Sequence, residues 1–406
     1  MNNGQSLLPY SLDDFFKTTY IGSIRQAIGN NLYGINHRQT PQAVLMNKER
    51  YGYTFFTKPQ LNMTSDNIQT QRLFYPLLTN DTNTIQNFVR ATLDPRYALR
   101  SNPTLVDPYQ AFIPVMTNNL NAISGWDDYI APTYESQPGN YKESTSFVDG
   151  NILNYTGYDI SATFRNTRGD PIVYLIYIWL LYSSFVFEGT MSPYPDMIIE
   201  NEIDYNTRIY RLVMDRTNTY VRKIMATGAS FPISLPLGGF FDYTKDNPIN
   251  SEVYDFTINF RCLGITYQDD ILIKEFNDVV GIFNPDMKAL ENGQSSDMIK
   301  VDPYLLPLFN NRGYPRIEPS TYRLEWYVKS SYYETMKGLL FGSGANNASA
   351  MNTMYTVLED IKQNLSQVGG YTRTSINVND SPGYAQELYN LQQQISNTPG
   401  LASQLP

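Results

Sequence analysis

A long alternating segment near the middle of the chain most constrains its fold. Apolar residues occupy every second position of residues 254–262, and polar residues occupy the positions between them. The apolar set is Tyr254, Phe256, Ile258, Phe260 and Cys262, and the polar set is Asp255, Thr257, Asn259 and Arg261. Side chains of a β-strand point to opposite faces in turn, so this pattern predicts a strand with one buried face and one polar face.

Other segments predict more strands around this one. We predict strands at 51–59, 158–165, 209–214, 221–225 and 322–328, and a turn rich in glycine and proline at 230–241. Short helices are predicted at 67–74, ending by Tyr75 because Pro76 follows, and at 84–89. The fold class is therefore predicted as mainly β with helical additions, in the α+β class.

The run from Ile172 to Phe187 carries no charged residue and predicts a helix. Asp170 is a candidate N-cap, and Pro171 suits the first helical position. The run is short for a membrane span and carries tyrosines and Trp179 in its middle, so we interpret it as a buried helix. We predict that Tyr254, Phe256, Ile258 and Phe260 pack against this helix around Trp179.

Three regions of different composition predict the domain organisation. Residues 1–45 are interpreted as an N-terminal docking arm, residues 46–285 as the β core with an insertion at about 65–150, and residues 286–406 as a C-terminal extension. Amphipathic patterns at 351–366 and 384–395 predict helical docking segments in that extension.

Composition argues against several classes of function. A net charge of -9 disfavours a dedicated nucleic-acid binder, because phosphate contacts need a cationic surface. Charged residues make up only 17% of the chain while tyrosine occurs 33 times, which favours permanent assembly. An AT-rich coding sequence would enrich asparagine, tyrosine and isoleucine as well, and both explanations stay open. Residues 1–5 lack the features of a secretory signal, so we expect synthesis and folding in a cytoplasm.

No pattern of catalytic or metal-binding residues is recognisable. His37 is the single histidine and Cys262 the single cysteine, which supply neither a catalytic triad nor the usual zinc spacing. The acid pairs Asp127–Asp128 and Asp269–Asp270 are the remaining candidates for hydrolysis, and they are interpreted as solvated turn residues. We expect no enzyme activity and no cofactor.

Several segments, taken together in the order in which they occur along the chain, resemble the tail-tube fold of contractile-tailed bacteriophages. That family includes the proteins that join the baseplate to the tube. The resemblance covers roughly residues 46–62 and 150–270. It rests on the aromatic strand at 53–59, the strand and turn at 159–165 that lead into the helix with Trp179, the crossing at 228–234, and the final strand at 255–260. The family implies a β-sandwich or barrel-like core that assembles into hexameric rings, with strands of neighbouring subunits lining a channel.

The resemblance implies a structural virion protein rather than an enzyme. Because the additions to the core are long, the preferred role is a homohexameric ring at the baseplate–tail tube junction, with the major tube protein or another neck or baseplate component as the alternative. Partners would be adjacent tube and baseplate proteins, tape-measure or sheath proteins and passing DNA, with no membrane.

We hypothesise that Asp255, Thr257 and Asn259 face the channel and form part of an acidic lumen. Solvent or a neighbouring ring is the alternative for these side chains. A glycan- or receptor-binding virion protein is a rival function, with Trp126 beside Asp127 and Asp128 as its site.

Overall fold

The computed structural model describes residues 52–150, 157–215, 217–242, 255–294 and 296–341. Its strands are β1 (Gly52–Phe56), β2 (Leu120–Ser124), β3 (Thr133–Glu135), β4 (Ser146–Val148), β5 (Gly157–Arg165), β6 (Ile209–Met214), β7 (Val221–Pro232), β8 (Asp255–Tyr267), β9 (Met298–Val301), β10 (Tyr314–Glu318) and β11 (Arg323–Lys329). Six of them form the main antiparallel sheet, in the order β1-β6-β7-β8-β5-β2. A three-stranded sheet, β10-β11-β9, and a hairpin of β3 and β4 are separate from it.

Helices connect and cover these strands. They are α1 (Ser65–Ile68), α2 (Ile85–Leu93), α3 (Pro95–Ser101), α4 (Pro114–Asn118), α5 (Pro171–Phe187), α6 (Pro195–Glu200), α7 (Leu237–Phe241), α8 (Ile271–Phe283), α9 (Pro285–Glu291) and α10 (Ser330–Phe341), with 3-10 segments at Arg72–Leu78 and Pro303–Phe309. The predicted α+β class, with a tail-tube-like sheet core, is confirmed.

The uncharged helix α5 forms the centre of the first hydrophobic cluster. Trp179 and Tyr182 are fully buried, and the cluster joins α5 to the sheet and to helices α1, α2 and α4. Pro171 begins the helix as predicted, whereas Asp170 occupies the N-cap position with a left-handed φ of 49° and makes no capping hydrogen bond through its side chain. Within the described ranges, no helix has the length and apolar character needed to cross a membrane.

A second hydrophobic cluster covers the other face of the sheet over β1, β6 and β7. Phe56 belongs to the first cluster and its neighbour Phe55 to the second, because successive residues of a strand point to opposite faces. Helix α8 packs there through Leu272, Ile273 and Phe276, and residues of β10 and β11 join the same cluster. The described part of the 286–406 region therefore packs into the same body as the sheet.

Two local expectations were wrong, and one region supplies a strand that was not predicted. Ser230, Phe231 and Pro232 continue strand β7 rather than forming a turn. The 3-10 segment at 72–78 runs through Pro76 because burial of Phe74 and Leu77 holds it in place. Strand β2, inside the predicted insertion, joins the main sheet at its edge. The predicted arm at 1–45 and the segments at 351–366 and 384–395 lie outside the described residues.

Candidate channel surface

Strands β5 and β8 pair along their whole common length, and among the described residues the core covers one of their two faces. Their register runs from Gly157 opposite Leu263 to Arg165 opposite Asp255. Phe256, Ile258 and Phe260 lie in the first cluster together with Trp179, on the face that α5 covers. Tyr254, the fourth residue predicted for this packing, lies outside the described residues.

The opposite face of the same two strands carries a continuous set of polar side chains, which we call the polar ladder. Its members are Asp159, Ser161, Thr163 and Arg165 on β5, and Asp255, Thr257, Asn259 and Arg261 on β8. The predicted channel residues Asp255 and Thr257 are exposed, and Asn259 is half-buried. The structure therefore brings all three predicted residues onto one accessible surface.

Most members of the polar ladder are hydrogen-bonded to a neighbour on the next strand. The Ser161 hydroxyl donates to Asn259 Oδ1 over 2.7 Å, and the Thr163 and Thr257 hydroxyls lie 2.9 Å apart. Arg261 Nη1 lies 3.0 Å from Asp159 Oδ1, with both side chains about half exposed. Such cross-strand pairs stabilise a sheet and fix its side chains in one arrangement.

Strand β2 extends this surface by one further contact. Asn121 Nδ2 donates to Asp255 Oδ1 over 2.7 Å, so the ladder reaches across three strands to the edge of the sheet. The hydrogen-bond partners of the three predicted channel residues lie on β2 and β5 and were not predicted from the sequence. The alternation of 158–165 was the available signal for β5, whereas nothing local in residues 120–124 indicated a pairing with β5.

The polar ladder carries charges of both signs. Its carboxylates, Asp159 and Asp255, lie among its guanidinium groups, and Arg165 is the partner of Asp255 in the strand register. The acidic lumen is a property of an assembled channel and stays a prediction, while this face of the single chain carries two aspartates and two arginines. The surface is polar and close to electrically neutral.

A glycine marks the end of this surface on β8. Buried positions are even-numbered from Phe256 to Cys262, but Ile265 is buried beyond Gly264, so the alternation changes phase there. Gly264 has a φ of +70°, in the left-handed region that only glycine enters readily. On the ladder side of this point Leu263 is 55% exposed, which ends the polar surface with an apolar residue.

The other residues considered as candidate sites from the sequence make contacts that are typical of structural residues. Burial raises the pKa of the Cys262 thiol to about 11, as expected for a core cysteine rather than a reactive one. Trp126 packs against the first cluster, and the Asp127 carbonyl accepts a hydrogen bond from Tyr267. Asp269 accepts from the backbone N–H of Ile271 at the start of α8. The described ranges contain no group of three or more potential metal ligands, and His37 lies outside them.

Comparisons with known proteins identify the family. The model of a family described as "Putative phage tail tube protein" matches residues 12–340. The chain belongs to this phage tail tube family. The predicted resemblance is thereby confirmed, and the protein is a structural tail component.

Solved structures of contractile injection systems are also similar to this tail tube family member. They are the tube-terminating cap of the anti-feeding prophage (14% identity, 39% of this chain and 82% of that chain, TM-score 0.24), a sheath/tube terminator in the extended state (13%, 39% and 88%, 0.21), and a sheath–tube complex in the extended state (15%, 41% and 92%, 0.22). No curated protein matches this chain.

Proposed function

We propose that the protein forms a homohexameric ring at the baseplate–tail tube junction and that its polar ladder lines the central channel. The single observation that carries this proposal is an uncovered sheet face, satisfied by its own hydrogen bonds, in a member of the tail tube family. Asp255, Thr257 and Asn259 would then face the axis of the ring.

The chemistry of the ladder suits a surface that DNA must pass without binding. Strong phosphate binding requires a cluster of unpaired cations, and each phosphate contact adds to affinity at low salt. Here Arg261 is paired with Asp159, and hydroxyl and amide groups of the ladder are hydrogen-bonded to each other. DNA sliding past such a wall meets fixed polar groups and little net charge.

The parts added to the sheet favour a junction over a repeating ring. Helices α1, α2 and α4 pack in the same cluster as α5, and α8, α9 and the second sheet pack in the cluster on the other face of the main sheet. A ring made in many identical copies needs only one kind of neighbour above and below, whereas a junction contacts different proteins on its two sides. We propose the baseplate and the tube, with tape-measure or sheath proteins, as these neighbours.

We propose a purely structural role in the virion, which membership of the tail tube family supports. The sheet edges at β1 and β2 would be closed by neighbouring subunits, because an exposed edge otherwise invites uncontrolled pairing.

Electron microscopy of the purified protein, with mass photometry across a range of concentrations, tests this assignment. Sixfold rings with a central hole that do not elongate are the expected result. Long tubes would replace the junction with the major tube protein, and a monomer at every concentration would overturn the self-assembling ring.

A further inference from the structure

The segment that follows β2 leaves the body of the protein from a fixed base. The Tyr267 hydroxyl donates to the carbonyl of Asp127, and the Tyr129 hydroxyl donates to the carbonyl of Ile265 over 3.3 Å. The rings of Tyr129 and Tyr267 meet edge to face, with centroids 5.0 Å apart. These contacts hold the base against the end of β8.

Beyond this base, residues 131–150 form a folded hairpin, which we call the aromatic arm. Strands β3 and β4 pair with Tyr134 opposite Phe147, and the two rings have centroids 5.0 Å apart. The turn is closed by a hydrogen bond from the Gly139 N–H to the Glu143 carbonyl over 2.8 Å. The arm therefore has a defined register and a defined apolar face.

The apolar face of the arm is exposed. Tyr134 and Phe147 on this face are 46% and 54% exposed, Val148 on the opposite face is 62% exposed, and every residue of β3 and β4 is exposed. A two-stranded hairpin on its own is marginally stable in water, and neighbouring exposed apolar residues usually mark an interaction site. The arm thus has the properties of a surface that another molecule covers.

We propose that the aromatic arm docks onto a second copy of this chain, namely the neighbour in the ring. This inference rests on the proposed assembly. The arm is continuous with the place where that neighbour would lie, because it follows directly from β2, the edge strand of the main sheet. Asn121, on the same edge strand, belongs to the ladder contacts, so one side of the subunit would supply both the edge of the channel wall and the arm.

The substitution Phe147→Glu tests the arm, because it places a charge on its apolar face. Loss of a buried aromatic anchor typically weakens an interface by tenfold or more, so we expect roughly tenfold weaker association. Gln137→Glu is the matched control, since it adds the same charge to an exposed polar position of the arm. Because the arm is exposed, the melting temperature of the unassembled protein is expected to stay unchanged in both variants.

Photo-crosslinking identifies the molecule that contacts the aromatic arm. A photoreactive phenylalanine analogue replaces Phe147, and isotopically light and heavy chains are mixed before assembly. Heavy–light crosslinks are the expected result. Crosslinks confined to one chain, crosslinks only to a different protein of the particle, or unchanged association of the Phe147→Glu variant would each overturn the proposal.

The two proposals fail separately. If the Phe147→Glu variant forms sixfold rings as well as the wild type does, the proposed ring would stand and the arm would not be part of the interface between subunits. Heavy–light crosslinks from an assembly that is not a ring would support the arm and contradict the proposed function.

Discussion

At the scale of single residues, the body contains a buried lysine. Lys58 is almost completely buried, and its Nζ donates to the carbonyl of Asp107 over 2.9 Å. The Asp107 carboxylate in turn accepts from the Tyr314 hydroxyl over 2.6 Å. Burial lowers the pKa of Lys58 to about 8, although the nearby Asp107 charge opposes this shift. Removing the ammonium group from water therefore costs free energy, and the carbonyl and carboxylate of Asp107 offset only part of this cost.

This pKa predicts a pH-dependent contribution to stability. In the unfolded chain Lys58 keeps its proton to a pH near 10.5, whereas the folded protein releases it above about 8. The unfolded state binds more protons in that window, so stability attributable to Lys58 rises with pH, by at most ~1.4 kcal/mol per pH unit. Urea unfolding of wild type and Lys58→Met between pH 7 and 9.5 measures it. We expect the difference, wild type minus variant, to increase with pH; a constant difference would contradict the lowered pKa.

Two residues of β8, three positions apart, test which face is buried. Phe260 is fully buried with its ring 5.8 Å from that of Phe56, whereas Thr257 lies exposed on the opposite face. Phe260→Asp buries an unpaired charge and should exceed the roughly 3–5 kcal/mol cost of Phe→Ala, abolishing soluble folding. Thr257→Asp is the matched control, and we expect it to keep wild-type yield. Equal soluble yield and melting temperature for both variants would refute the packing.

At the scale of elements, sequence periodicity predicted those strands that have one covered face. Strand β5 was predicted to within one residue because its residues alternate between apolar and polar. Strand β6 was predicted at its observed bounds from a mostly apolar segment, and the structure buries both of its faces. Helix α8 was missed although Leu272, Ile273, Phe276 and Val280 have helical spacing, because Asp269 and Asp270 were interpreted only as turn residues. The pairing of β2 with β5 could not be predicted, since that choice depends on tertiary contacts rather than on local pattern.

The three predicted channel residues show the same limit. Alternation indicated that Asp255, Thr257 and Asn259 share a polar face, and the structure adds their partners Asn121, Thr163 and Ser161. Only the sheet order shows that the charges on this face are balanced, because Asp159 comes from a strand almost 100 residues earlier than Asp255.

The phase change in β8 gives a prediction for one glycine. Gly264→Ala forces a side chain into a left-handed backbone conformation, which costs about 1–2 kcal/mol. We expect a corresponding loss in the free energy of unfolding measured with urea. Gly238→Ala is the control, because Gly238 has no heavy atom within 4 Å of an added Cβ and no positive φ. Equal stability of the two variants would show that the left-handed conformation at Gly264 is not required.

At the scale of the whole molecule, the composition agrees with a body whose described part exposes polar and aromatic surfaces. A net charge of -9 is spread over 406 residues with few charged side chains, while tyrosine is abundant both in the clusters and on the surface. The polar ladder and the aromatic arm both begin at the β2 side of the main sheet. In the proposed ring, that side would meet the neighbouring subunit.

A cryo-electron microscopy map of the assembled protein, resolved well enough to trace β5 and β8, tests the central claim most directly. We predict a sixfold ring in which the side chains of Asp255, Thr257 and Asn259 point toward the axis and form the wall of the channel. A ring in which these side chains point outward or are buried between subunits, or an assembly without a central channel, would contradict the account.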